Sequence, residues 1–487
     1  MDDQYSSYTA LLYIFNLIVG TGALTLPFAF KEAGWVFSSI FIIFLALVSY
    51  ITATFVIESM SISNAILQWI KVERMKRISR YIQMAAEAPI SVSTDEEDQS
   101  DPNEDSLMLP SAYLQNFPSE PQKFFTLDIK VEMSEMATIL YNKIGKYVFY
   151  ICLCLYLYGD LTIYSAAIAK TIVNTSCTTP TNTTDDHLCW ESYNFTKRRM
   201  YKMYLGLFLL SFGPYVFFNI QKTKYLQFFT SASRWLAFSI MIGLGVQRLL
   251  NPNLEHGDPE LAVASGLPAL LGSCVYSFMC HHSLPSLISP IKDKSRLFSK
   301  LALDYLAILL FYLTLALTAV FAFREVSDLY TLNFVPDGSN YTVFDEVVSY
   351  FLALFPLFTL TASFPIIAVT LRSNLQAMFA PYEWRILHLF ILPLLAVIPP
   401  VLIAMSTENI EALVGVTGSF AGVIIQYVIP ATLVMCARKS IPELLVTVPN
   451  FYSSPFKASY WPILVIIWAA VSIVLVTYDM VHHRGII

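Results

Sequence analysis

Charged residues are scarce in this sequence. They make up 14% of its 487 residues, whereas a soluble globular domain carries about 25%. Hydrophobic residues reach 56%, and the mean hydropathy is +0.57. This composition excludes a soluble globular domain. We therefore expect an all-α integral membrane protein whose surroundings are the lipid bilayer, with no nucleic-acid partner.

Cysteine is also sparse, with seven residues in the chain. Cys177 and Cys189 share one polar loop, where we expect a disulfide, with two free thiols as the alternative. A cleavable signal peptide is not expected, because the N-terminal tail lacks basic residues and leads straight into an apolar run. No nucleophile–base pair or metal-ligand set is evident, so we expect neither an enzyme nor a bound metal or cofactor.

Apolar runs of about 20 residues, the length that crosses a bilayer, recur along the chain. We count eleven, and we interpret residues 1–487 as a single domain of eleven transmembrane helices. The runs lie near residues 9–30, 35–59, 147–172, 201–220, 226–249, 264–288, 301–323, 346–371, 385–405, 409–436 and 459–480.

The loops between these runs predict the orientation. Lys and Arg favour the side that carries the N-terminus, which predicts a cytosolic N-terminus and an extracytosolic C-terminus. Residues 61–146 then form a cytosolic loop, whose acidic part at about 84–125 is predicted to be disordered and open to a cytosolic partner. Residues 173–199 form an extracytosolic loop that we expect to be glycosylated, in a plasma membrane or an endolysosomal membrane. Its acceptor motifs are at Asn174, Asn182 and Asn194, and a fourth motif, at Asn340, lies in the extracytosolic loop between spans seven and eight.

The first apolar run contains an interruption. Its middle reads Gly20-Thr21-Gly22, and Pro27 follows within two turns. Each glycine costs a helix about 1 kcal/mol relative to alanine, and lipid cannot pair the backbone groups that a break exposes. The pattern is typical of a broken transporter helix that forms a binding site. A glycine-kinked helix without a ligand is the alternative.

The sixth run is interrupted in a similar way, at Tyr276–Pro285, which contains the adjacent His281 and His282. Both interruptions lead to a Leu-Pro pair, and they lie five spans apart. Corresponding breaks in two halves predict a five-plus-five inverted repeat with a site at the bilayer midplane, followed by an eleventh helix. The alternative is a kink at the cytosolic end with interfacial histidines.

Three motifs carry a family resemblance. Asn16–Pro27 resembles the first-helix pattern N-x-x-x-G-x-G-x-L-x-L-P, and Leu413–Ser419 resembles V-G-x-T/S-x-S. Ser277–His281 resembles the block F-S-F-x-C-H, with Tyr276 in place of the first Phe. These are motifs of the amino acid/auxin permease superfamily. Longer segments are similar to the transmembrane protein 104 family within it: Leu155–Asp160, Gln221–Gln227, Tyr276–Pro285, Phe364–Arg372 and Gln426–Pro430.

The resemblance implies a LeuT-like fold that works by alternating access, with a site lined by spans one, three, six and eight. In the sodium-coupled branch the first-helix Asn and a span-eight Thr serve the cation. Asn16 matches the first, and either Thr359 or Thr361 matches the second. The expected substrate-binding residues lie in the two interruptions: Gly20, Thr21, Gly22, Tyr276, Ser277, Phe278 and Cys280.

Asp160 is the rival to Asn16 for ion coupling. It lies halfway along span three, and a lone carboxylate at membrane depth is a functional candidate that could carry a proton. A structural hydrogen-bond acceptor is the alternative. Glu58, Asp304 and Asp479 lie near span ends, where we expect solvation by interfacial water.

Two functions remain open at this point. The first is a secondary active transporter that moves small amino acids by Na⁺- or H⁺-coupled alternating access, because small residues line the first interruption. The second is a transport-inactive amino acid sensor or scaffold that signals through the 61–146 loop.

Overall fold

The computed structural model describes residues 5–87, 124–177, 188–190, 193–218, 224–335, 343–379 and 384–482. Helices dominate these ranges. The strands β1 (Leu188–Trp190) and β2 (Tyr193–Thr196) form one short antiparallel hairpin. The predicted all-α class is correct for the described part of the chain.

The helices follow the apolar runs closely. In the first half they are α1 (Ser7–Ile18), α2 (Thr21–Ala33), α3 (Trp35–Glu87), α4 (Met133–Leu140), α5 (Lys143–Ser176), α6 (Lys197–Phe212) and α7 (Lys224–Leu250). In the second half they are α8 (Leu267–Ser277), α9 (Leu284–Ile288), α10 (Leu297–Ala322), α11 (Val343–Met378), α12 (Leu392–Ser406), α13 (Ile410–Thr417), α14 (Ile429–Lys439) and α15 (Tyr460–His482). A short 3₁₀ segment, Gly213–Phe217, extends α6, and two π-helical turns, Gly418–Gly422 and Ile424–Val428, join α13 to α14.

The lengths of these helices make the protein a multi-pass membrane protein. Among the described residues, eight helical segments are each long and apolar enough to cross a membrane. The pair α1–α2 makes a ninth, bent by 55° at its break. The two other predicted spans correspond to α6 with its extension and to α8 with α9, which are short or interrupted. Helices thus occur at all eleven predicted positions, and the count of eleven crossings stays a prediction.

Small residues let the interrupted helix α8 pack tightly on α13. A Cβ added at Gly272 would lie 2.3 Å from the carbonyl oxygen of Gly415, and one added at Gly418 would lie 2.1 Å from that of Gly272. Backbone contact of this kind is common in membrane helices, where small residues replace the hydrophobic effect as the source of packing. It holds α8 against α13 and the π-helical turn that follows α13.

The two ends of the bundle differ. We call the end that holds residues 5–7, 62–87, 124–140 and 289–296 the tail face. We call the end that holds residues 174–177, 188–190, 193–199, 251–266, 323–335 and 405–409 the loop face. On the tail face, the Asn64 side chain donates to the carbonyl oxygens of Thr126 and Ile129, at 2.9 and 3.1 Å. On the loop face, Trp35 N–H donates to the carbonyl of Glu260 at 3.0 Å.

The predicted 61–146 loop is partly helical. α3 runs without interruption from span two to Glu87, so residues 84–87 are helical rather than disordered. At the other end of the acidic segment, Phe125 is buried against Ile62 and Ala65. The boundaries of the predicted disorder are therefore too wide, because both ends pack or continue a helix. Residues 88–123 lie outside the described residues.

The prediction that three acidic residues near span ends are solvated is wrong. Glu58, Asp304 and Asp479 are buried, with exposed fractions of 4%, 6% and 8%. Glu58 receives two hydrogen bonds from Arg438, each of 2.8 Å, and a third from the Ser454 N–H at 3.0 Å. Paired charges satisfy each other inside the protein, so proximity to a span end does not require contact with water.

Candidate functional site

The first span breaks at the predicted position. α1 ends at Ile18 and α2 begins at Thr21, so Val19 and Gly20 are non-helical. A Cβ added at Gly20 would meet open space, with the Ile18 carbonyl oxygen as its nearest neighbour at 4.0 Å. The break releases the last carbonyls of α1 from the helical hydrogen-bond pattern, and other donors must pair with them.

The sixth span breaks as well. α8 ends at Ser277 and α9 begins at Leu284, with residues 278–283 forming a non-helical turn. The N–H groups of Ser283 and Leu284 both donate to the carbonyl of Cys280, at 3.0 Å. Pro285 lies in the first turn of α9, where its missing N–H removes no helical hydrogen bond.

The two breaks are in direct contact. A Cβ added at Gly22 would lie 2.6 Å from both the Cα and the Oγ of Ser277. The Tyr312 hydroxyl of α10 lies 2.9 Å from the carbonyl oxygens of Ile18 and of Ser277, so it can donate to either. The C-terminal ends of helices α1 and α8 are therefore joined through the buried Tyr312 hydroxyl. At position 22, only a glycine fits without movement of α2 or α8.

A cation that the sequence reasoning missed lies at the first break. Arg234 of α7 donates from Nη1 to the carbonyl of Asn16. Its neighbour Trp235 stacks on Phe15, with ring centroids 4.3 Å apart and planes at 15°. The signal was available in the sequence, because Arg234 is an arginine away from either end of an apolar span. The guanidinium supplies the donor that a carbonyl freed by the break requires.

Asp160 lies near the breaks and is buried, with 7% of its surface exposed. The Tyr276 hydroxyl at the end of α8 donates to its Oδ1. Tyr164, one turn further along α5, interacts electrostatically with both Asp160 and Arg234, and lies against Thr21. One buried anion and one buried cation are thus linked through a tyrosine beside the first break.

The predicted substrate-binding residues divide into two groups. Phe278 stacks on Tyr305 with centroids 6.1 Å apart, and Cys280 Sγ lies 3.2 Å from the Tyr305 hydroxyl, so these two side chains face α10. The structure brings the others together around the contact of the breaks: Gly20, Thr21, Gly22, Tyr276 and Ser277.

The residues predicted to bind sodium are not linked to one another by hydrogen bonds in the described part of the chain. The side-chain amide of Asn16 has no hydrogen-bond partner among the described residues. Thr359 donates to the carbonyl of Phe355 at 3.0 Å, and the enclosed Thr361 hydroxyl has no partner within the described ranges. In the part of the chain that the structure describes, no hydrogen bond links either threonine to Asn16.

The space beside the first break is closed. A narrow cleft there is too small to admit a water molecule. Its lining residues are Phe15, Asn16, Val19, Arg234, Trp235, Phe238 and Phe311. In this structure, that cleft therefore has no room for a substrate.

A large cavity opens instead on the loop face, with a volume of about 910 Å³. Lys170 of α5 and Asp328 form an ion pair of 2.7 Å in its lining, with 24% and 15% of their side chains exposed. Asp328 also accepts from the N–H of Ile410 at 3.2 Å, at the start of α13. This vestibule, as we call the cavity, contains further charged residues: Lys197, Arg198, Arg248, Glu325 and Glu408.

The loop that was expected to carry glycans contains a disulfide between Cys177 and Cys189, whose Cα atoms are 4.7 Å apart. Asn174 lies in the last turn of α5, where its amide donates to the carbonyl of Lys170 at 3.0 Å. Asn182 and Asn340 lie outside the described residues, as does the side chain of Asn194. Glycosylation stays a prediction.

Comparison with known proteins agrees with this architecture. The family described as "Transmembrane amino acid transporter protein" matches residues 3–478 of the chain. The transmembrane protein 104 homolog of Drosophila melanogaster is 42% identical over 503 residues, which cover 98% of this chain and 97% of that protein.

Two further relatives have similar coverage. Transmembrane protein 104 of Homo sapiens is 42% identical over 494 residues, and the homolog of Dictyostelium discoideum is 33% identical over 508 residues. Each alignment covers 98% of this chain and 97% of the relative. The chain therefore belongs to the transmembrane protein 104 family, within the transmembrane amino acid transporter proteins.

Proposed function

We propose that this protein is a secondary active transporter that moves small amino acids across a membrane by ion-coupled alternating access. The observation that carries the proposal is the contact of two interrupted spans at Gly22 and Ser277, beside one buried anion and one buried cation. The family match to amino acid transporters supports the same substrate class.

A five-plus-five inverted repeat is the arrangement that we propose for the bundle. The broken pairs α1–α2 and α8–α9 lie five predicted spans apart and touch each other, which is the relationship that broken helices have in such repeats. The eleventh span, α15, follows the second half. The charge distribution of the loops supports a cytosolic tail face and an extracytosolic loop face.

The charges beside the breaks suit a zwitterion. We propose that Asp160 pairs with the ammonium group of the amino acid and Arg234 with its carboxylate, which the N-terminus of α2 also favours. Both groups are already held by protein partners, Tyr276 and the Asn16 carbonyl, so substrate has to displace or share these contacts. The tight fit of Gly22 against Ser277 favours a small side chain on the substrate.

We propose H⁺ rather than Na⁺ as the coupling ion. A sodium ion at the first break requires free carbonyl oxygens, yet the Asn16 carbonyl accepts from Arg234, and the Ile18 carbonyl shares the Tyr312 hydroxyl with the carbonyl of Ser277. The fixed guanidinium also repels a second cation nearby. Asp160 can instead take up and release a proton during the cycle.

The vestibule supports alternating access. Its opening lies on the loop face while the breaks are closed, so a substrate entering from that side has to wait for a movement that connects the two spaces. We propose that the Lys170–Asp328 pair holds α5 and α13 together in this closed state.

The test is uptake and counterflow of labelled amino acids in proteoliposomes, with the sodium and pH gradients imposed separately. We expect counterflow of at least one small amino acid and accumulation driven by the pH gradient alone. Asp160→Asn should abolish pH-driven accumulation. Thermal stabilisation by an amino acid without any flux would contradict transport and favour the sensor function.

A further inference from the structure

A series of titratable side chains extends from Asp160 toward the tail face. Tyr276 donates to Asp160, and Tyr156, one turn before Asp160 on α5, also interacts with that carboxylate. The rings of Tyr156 and Tyr276 have centroids 6.4 Å apart. The two hydroxyl-bearing rings therefore lie together beside the carboxylate, with Tyr156 on the part of α5 that leads back to the tail face.

The next member is His282, in the turn between α8 and α9. Its ring centroid lies 5.6 Å from that of Tyr156. Its Nδ1 atom is enclosed and has no hydrogen-bond partner among the described residues. His281 Nδ1 is likewise enclosed and without a partner among the described residues, so what distinguishes His282 is its place beside the Tyr156 ring.

The series ends at Glu132, whose charge acts on His282 although no hydrogen bond or ion pair joins the two among the described residues. Glu132 caps α4 on the tail face, where it is exposed and pairs with Lys130 at 2.5 Å. The carboxylate is therefore in contact with the aqueous phase on that side. Four groups thus separate the buried Asp160 from water at the tail face.

The remaining charged and titratable neighbours lie outside this series. Tyr164 interacts with Asp160 on one side and with Arg234, at the first break, on the other. The adjacent histidine, His281, faces α3 instead, where its Nε2 lies 2.9 Å from the Thr52 hydroxyl. On α10, Asp304 and Tyr305 face Cys280.

We propose that Tyr276, Tyr156 and His282 form the route by which a proton passes from Asp160 to Glu132 and the tail-face solution. This inference rests on the proposed transport function and assigns its proton path. The Asp160 carboxyl group gives its proton to the Tyr276 oxygen, while Tyr276 gives its own proton onward. Tyr156 accepts that proton on its oxygen and gives its own proton to His282. A water molecule bridges any two groups that are too far apart for a direct hydrogen bond.

The transfer is balanced. His282 becomes an imidazolium and then releases one proton to the Glu132 carboxylate or to water. Asp160 loses one proton, the solution gains one, and each intermediate group ends with the protons that it had at the start. The tyrosines need no net ionisation, because each accepts one proton as it gives another.

The test separates net proton transfer from substrate movement. Counterflow needs only that loaded carriers exchange sides, whereas accumulation in a pH gradient needs the proton to leave Asp160. We expect His282→Gln to reduce pH-driven accumulation at least tenfold while counterflow stays within twofold of the wild type. Tyr156→Phe, which keeps the ring and removes the hydroxyl, should do the same.

His281→Gln is the matched control, since it makes the same change one residue earlier on a side chain that faces α3. It should keep wild-type pH-driven accumulation. Wild-type accumulation in both His282→Gln and Tyr156→Phe would overturn the route, and so would an equal loss in all three variants. If His282→Gln loses counterflow as well, the route is judged on Tyr156→Phe alone: loss of pH-driven accumulation with retained counterflow supports the route, and wild-type accumulation overturns it. Absence of counterflow in the wild type would instead contradict the transport function itself.

Discussion

Replacing Gly22 with alanine tests whether the two breaks must touch. The added Cβ would lie 2.6 Å from the Cα of Ser277, whereas carbon atoms pack comfortably at about 3.5–4.0 Å. α2 and α8 therefore have to separate by about 1 Å. Overpacking of this kind costs about 1–3 kcal/mol, and the better helix propensity of alanine offsets up to about 1 kcal/mol of that cost.

The separation should weaken substrate binding, because the site depends on the relative positions of α2 and α8. A net cost of about 1–2 kcal/mol corresponds to a fivefold to thirtyfold increase in Kd. The assay is equilibrium binding of a transported amino acid to purified protein. Gly20→Ala is the control, since its Cβ meets open space, and it should change Kd less than twofold. Equal affinities in the two variants would refute the reasoning.

Three further predictions concern stability and the vestibule. Glu58→Gln should destabilise the protein by about 3–5 kcal/mol, measured by thermal unfolding, because it leaves the Arg438 guanidinium without its buried partner; an unchanged Tm would contradict this. Cys177→Ser should lower unfolding stability by up to about 3 kcal/mol under oxidising conditions, and the loss should vanish when the wild type is reduced. Asp328→Asn should speed labelling of a cysteine introduced in the lining of the vestibule, because Lys170 no longer holds α5 to α13. An unchanged labelling rate would contradict the proposal that the Lys170–Asp328 pair keeps α5 and α13 together.

The breaks could be predicted from the sequence because their causes are local. Gly20 and Gly22 weaken the helix where they stand, and Pro285 lies in the first turn of the new helix α9. The lengths of the apolar runs likewise depend only on neighbouring residues. Both kinds of signal therefore gave the positions of the helices and of the two interruptions.

The contacts around the breaks could not be predicted, because they join residues far apart in the chain. Nothing in the sequence around Tyr312 indicates that its hydroxyl lies 2.9 Å from the carbonyls of Ile18 and Ser277. The burial of Glu58 depends in the same way on Arg438, 380 residues later. Such pairs are fixed by the packing of whole helices.

Arg234 is a different case, since the sequence contained the signal. The rule that drew attention to Asp160 applies equally to an arginine away from either end of a span. The charges of the loops indicate orientation, and they carry no information about a basic residue inside a span such as Arg234. The acid was identified and its cationic counterpart was not.

The proposed transport requires that an amino acid binds where the two interrupted spans meet. The most direct measurement is a cryo-electron-microscopy map of the protein saturated with an amino acid that it transports. The account predicts ligand density beside Gly22 and Ser277, with the carboxylate toward Arg234 and the ammonium group toward Asp160. Ligand density in the vestibule alone, with the contact of Gly22 and Ser277 still closed, would contradict it.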